Sequence, residues 1–70
     1  MRTATIDARR QPGYFPYYKP QWYDVRSLVW REVQIHCATP QEARTVARLH
    51  APDGVDVRAV EVTRDTRRAV

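Results

Sequence analysis

Val29, Arg31, Val33, Ile35 and Cys37 share one parity along the chain, and Trp30, Glu32, Gln34 and His36 share the other. Alternation with a period of two is what a strand with one buried face requires, so residues 28–37 are expected to form a strand. Arg31 interrupts the apolar side, which leaves Val33, Ile35 and Cys37 as its buried part. A short hairpin turning near Asp24 to Ser27 is only weakly signalled.

The period then changes. Thr39-Pro40-Gln41-Glu42 places a capping threonine first, proline at the first helical position and glutamate three residues after the cap, the pattern of a capping box. Ala43, Val46, Ala47 and His50 recur at helical spacing with Leu49 beside them, while Gln41, Arg44, Thr45 and Arg48 face away. The spacing predicts a helix over 40–50, closed by "APDG". Residues 55–64, "VDVRAVEVTR", read as a final strand whose apolar parity switches at Ala59. Either a bulge lies there or both faces are partly covered. Residues 3–8, "TATIDA", are β-branched and alternating and are expected to form a first strand. Residues 65–70, "DTRRAV", read as a frayed basic tail.

Residues 9–24 fit neither period. They hold six of the seven aromatic side chains, Tyr14, Phe15, Tyr17, Tyr18, Trp22 and Tyr23, and prolines at 12, 16 and 20. Interior prolines would each cost a helix about 3 kcal/mol, and each pushes the residue before it towards an extended conformation. The segment is therefore expected to be a stiff, extended loop. The resulting fold is a small α/β (α+β) domain over residues 1–70, in the order β-loop-β-α-β. Its sheet has three strands, or four, with one helix covering one face. If the last two strands are parallel neighbours, their crossover should be right-handed. No second helix is available for the opposite face, where the rings could lie.

Size sharpens the meaning of the rings. A 70-residue chain buries only roughly 60% of the surface its unfolded form exposes, so large apolar groups serve folding before function. Charge adds a second feature. The formal net charge is +4, and residues 1–31 hold six basic groups against two acidic, whereas residues 32–70 hold six against six. The whole excess thus lies in the half that holds the aromatics, which suits an acidic partner. Eleven of the twelve basic residues are arginine, favouring bidentate and stacking contacts.

Chemistry-bearing patterns are few. His36 and Cys37 are neighbours, but adjacent strand residues point to opposite faces, so a thiol in the core and an imidazole at the surface are expected. One cysteine and two histidines give too few donors for a closed zinc site. "DGVD", residues 53–56, lacks the ligands of a calcium loop. With Gly13 and Gly54 as its only glycines, the chain holds no phosphate-cradling loop. No cofactor, metal or enzymatic activity is expected. A single cysteine and the absence of a signal-like apolar stretch in "MRTATIDARR" suggest a cytoplasmic protein without a membrane segment.

In size and in the strand-helix-strand layout of "VQIHCATPQEARTVARLHAPDGVDVRAVEV", residues 33–62, the chain resembles small phage-encoded host-takeover proteins, anti-CRISPR inhibitors among them. The resemblance implies an inhibitor that docks on a defence complex and blocks it. Such inhibitors often mimic nucleic acid with acidic surfaces, and this chain is basic, which leaves direct docking or contact with a bound RNA or DNA. No functional residue is carried over.

The expected function is stoichiometric binding to a protein or protein–nucleic-acid complex. The expected contact residues are Arg9, Arg10, Tyr14, Phe15, Tyr17, Tyr18, Lys19, Trp22 and Tyr23, with Tyr17, Tyr18 and Trp22 as anchors and Arg10 and Lys19 for steering. Arg44, Arg48 and Arg58 would form a secondary basic surface. The alternatives are single-stranded nucleic-acid binding through the same residues, with bases stacked on the rings, and a structural accessory or homodimer.

Overall fold

The computed structural model describes residues 15–70. Strands β1 (Tyr17–Asp24) and β2 (Val29–Glu32) are followed by helix α1 (Pro40–His50) and strands β3 (Val57–Val62) and β4 (Arg67–Ala69). Among the described residues the fold is α+β: one four-stranded sheet in the order β2-β1-β3-β4, antiparallel throughout, with one helix. The expected strand at 3–8, and Arg9, Arg10 and Tyr14, lie outside the described residues.

The helix matches its sequence signals at both ends. Thr39 Oγ1 accepts from the Glu42 N–H at 3.1 Å, and Glu42 Oε1 accepts from the Ala38 N–H at 3.1 Å. Two donors at the helix entrance are thereby satisfied. Ala43 and Ala47 are buried and Val46 partly so. Two small residues on the inner stripe let the helix backbone approach the sheet closely. Leu49 and His50, expected on the inner face, lie in the last turn of the helix and are exposed instead; its buried stripe is Ala43 and Ala47.

The aromatic segment is the main correction. Residues 17–24 form not a loop but the longest strand, placed centrally between β2 and β3. Proline in a central strand removes a ladder donor, and the neighbouring chain accommodates this. The Pro20 carbonyl accepts from the Val33 N–H at 2.9 Å, so the missing Pro20 donor faces the β2 side. There the partner chain leaves the ladder. Continuing the β2 register would set Tyr18 opposite Ile35, but Tyr18 pairs with Cys37 instead. Two residues are looped out, with Ile35 N–H donating to Val33 C=O at 2.8 Å. The expected single strand over 28–37 is therefore β2 plus an isolated bridge at Cys37.

Two further expectations change. β2 and β3 run parallel across the helix, but β1 lies between them, so they are not neighbours. The tail is not frayed: residues 67–69 pair with β3, and the Val70 N–H donates to Ala59 C=O at 2.9 Å. Thr63 makes the reversal, its hydroxyl accepting from the N–H groups of Thr66 (2.9 Å) and Asp65 (3.3 Å). The parity switch at Ala59 is not a bulge, since β1 and β3 pair without interruption. Ala59 faces the core under the helix with Cys37 and Ala43, while Val60 and Val62 are buried on the other side.

Candidate functional site

Strand alternation divides the aromatic segment between two faces. Tyr18, Pro20 and Trp22 point to the helix side; Tyr17, Lys19, Gln21 and Tyr23 point to the side the helix leaves open. Tyr18 packs against Cys37, Ala43 and Ala59 and is a core residue, not an exposed anchor. Its hydroxyl donates to Glu61 Oε2 at 3.1 Å. Burial first, then the bond to Glu61 and its charge, raise the Tyr18 pKa above 10.0. Phe15 lies against Tyr17, with ring centroids 5.6 Å apart.

The open face carries a connected row of rings and charges. Tyr23 meets Trp30 edge-on at 5.2 Å, and the Arg58 guanidinium lies 4.0 Å over the Trp30 ring. Arg58 Nε donates to Gln21 Oε1 at 2.7 Å, and Gln21 Nε2 donates to Glu32 Oε1 at 2.9 Å. Glu32 is the hub. It also receives Arg67 Nη2 at 2.7 Å and lies 3.4 Å from Lys19 Nζ. Partial burial alone would raise the Glu32 pKa; the hydrogen bonds from Gln21 and Arg67 and the charges of Lys19 and Arg67 together lower it. Lys19 and Gln21 are buried beneath this network. Lys19 therefore serves as an internal counter-charge, not as a surface steering group. Tyr17 stacks on His36 at 4.0 Å. His36 and Cys37 do part to opposite faces, with Cys37 fully buried.

The three arginines expected to form one secondary surface are separated. Arg44 and Arg48 sit on the helix, Arg44 donating to Val70 C=O at 3.4 Å, while Arg58 is on the opposite side of the sheet. Three contributors to the open face were absent from the expected site: Trp30, Glu32 and Arg67. Trp30 and Glu32 share a parity with His36 in the sequence, but only the β1–β2 register sets them beside Tyr23 and Gln21.

A second surface lies at the β1–β2 hairpin. Asp24 folds the turn: Oδ1 accepts from the N–H groups of Arg26 (3.0 Å) and Ser27 (3.4 Å), and Oδ2 from Arg31 Nε (2.9 Å). The Arg31 bond, outweighing partial burial and joined by the two N–H groups and the Arg31 charge, lowers the Asp24 pKa. Leu28 closes the turn at φ +59°, a left-handed conformation that costs a branched residue about 1–2 kcal/mol. Val25, Leu28 and Val29 are 61%, 71% and 43% exposed. Beside them is a groove of about 480 Å³, with Trp22, Tyr23, Val25, Pro52 and Val55 among its walls and Arg26 and Asp53 at its rim. Trp22, an expected anchor, belongs to this groove and not to the open face.

Among the described residues no three His, Cys, Asp or Glu side chains gather as metal ligands, and no helix is long and apolar enough to cross a membrane. No protein-family model matches this chain, and neither a curated protein nor a solved structure shows a significant match to it.

Proposed function

We propose that this chain is a non-enzymatic binding protein, a stoichiometric inhibitor or modulator, that docks on a macromolecular partner with the sheet face opposite its helix. The observation that carries the proposal is the Tyr23–Trp30–Arg58 row, partly exposed and backed by the buried Lys19–Gln21–Glu32 network. Tyrosine, tryptophan and arginine bury much area for little lost side-chain freedom and dominate binding hot spots. The network fixes the Arg58 guanidinium before any partner arrives, which lowers the entropy lost on docking. Glu32, held ionised by its donors, acts here as a positioning group.

The partner is a protein, or a protein bound to nucleic acid, with an acidic surface. The partly exposed Arg58 guanidinium over Trp30 and the +4 total support that choice. The resemblance of residues 33–62 to phage-encoded inhibitors directs the search to complexes that handle nucleic acid. The test is affinity capture with the full chain, comparing wild type, Trp30→Ala/Arg58→Ala and the helix-face control Arg48→Ala. A partner held at one-to-one stoichiometry by wild type and control, and lost by the double variant, is the expected result. Equal capture by all three defeats the proposal. Titration with a 20-nucleotide oligo(dT) runs alongside. Tight binding whose affinity falls steeply with salt would put single-stranded nucleic acid in place of the protein partner.

A further inference from the structure

We infer that the hairpin end of the molecule is a self-association surface, whose occupant is the same end of a second copy of this chain. The hairpin presents a projecting apolar tip, Val25, Leu28 and Val29, directly beside an apolar groove walled by Trp22, Tyr23, Pro52 and Val55. A cavity of roughly 150 Å³ accepts a benzene-sized group, so a groove of about 480 Å³ has room for a leucine and a valine together. Tip and groove adjoin on one chain. A two-fold axis between two copies then sets each tip into the other's groove, the self-complementary contact that closes as a dimer.

Charge favours a second copy over an unrelated partner. Arg26 and Asp53 both border the groove, so the same two-fold sets Arg26 of each copy against Asp53 of the other. The surface supplies both halves of its own ion pair. Asp24, the other carboxylate in the groove wall, is already engaged by Arg31 and by the turn N–H groups. Leu28 adds to the case. Glycine would occupy its left-handed position without strain, yet the chain places there a leucine that is 71% exposed. Tyr23 is shared between this groove and the docking row, and none of the substitutions below alters it.

The contact is small, and interfaces below about 1,000 Å² are weak. It is best read by sedimentation equilibrium of the full chain from about 10 µM to about 1 mM, a range suited to weak, reversible association. Wild type should show a reversible monomer–dimer equilibrium in that range. Leu28→Gly should weaken it at least tenfold without lowering the melting temperature. Arg26→Asp and Asp53→Arg should each weaken it, and an equimolar mixture of the two should associate at least as well as wild type, because each reversed charge then meets its opposite. Wild type that stays monomeric at 1 mM overturns the inference. So does unchanged association in Leu28→Gly, or a mixture no stronger than its components. None of these results touches the Trp30–Arg58 face, so the docking proposal is tested separately.

Discussion

Arg67 Nη2 lies 2.7 Å from Glu32 Oε1, joining the two edge strands of the sheet across the face that the helix leaves open. The pair closes the network over Lys19, which is only 6% exposed. A buried ammonium needs a counter-charge, and Glu32 supplies it.

Removing Glu32 should therefore cost more than its partial exposure suggests. Glu32→Gln leaves Lys19 without its carboxylate and is expected to destabilise by about 2 kcal/mol, below the range for a fully buried pair. Its partners lower the Glu32 pKa from the ordinary 4.5. The sign follows directly: this contribution is complete above pH 4.5 and is lost as pH falls through the lower folded value. Urea unfolding should show the gap between wild type and variant at pH 7 shrinking steadily below that point. A gap independent of pH would mean that the carboxylate charge is not the source.

Arg67 and Arg68 are adjacent in sequence and unequal in structure. Arg67 reaches Glu32 at 2.7 Å, whereas Arg68 lies 3.6 Å from Glu61 and is 73% exposed. Arg67→Ala is expected to cost about 1 kcal/mol and Arg68→Ala less than about 0.5 kcal/mol. Denaturant midpoints of the two single variants decide this, and equal effects would contradict the bridge.

Tyr18 gives a prediction at alkaline pH. Its hydroxyl is partly buried and bonded to Glu61, so the folded protein raises its pKa above 10.0. The unfolded chain ionises first, and the stabilising share is intact below pH 10 and lost as pH rises through the folded value. Tyr18→Phe should flatten the fall of stability above pH 10. A slope unchanged in the variant would place the alkaline sensitivity elsewhere.

The helix gives a graded series. Thr39→Ala removes the acceptor for the Glu42 N–H and should cost about 1 kcal/mol. Ala47→Leu forces a larger side chain between helix and sheet at a fully buried site and should cost about 1–3 kcal/mol. Leu49→Ser, at a site 78% exposed, should change stability by less than about 0.5 kcal/mol. In thermal melts Ala47→Leu should lose most, Thr39→Ala less and Leu49→Ser least.

The helix over 40–50 was legible from its cap, its proline and its small inner face, because each signal acts within four or five residues. The sequence also allowed the rings a place on the sheet face opposite the helix, where Tyr17 and Tyr23 do lie. It pointed as well to a turn near Asp24, whose side chain folds the hairpin. That residues 17–24 form a central strand was settled by long-range pairing. Proline in such a strand is tolerable where the neighbouring chain departs from the ladder, and that departure, between Glu32 and Cys37, belongs to a different segment. The candidate site was hidden for the same reason. Trp30, Arg58, Glu32 and Arg67 carry no shared local pattern; cross-strand register and one long arginine reach bring them together, Arg67 meeting Glu32 from 35 residues away.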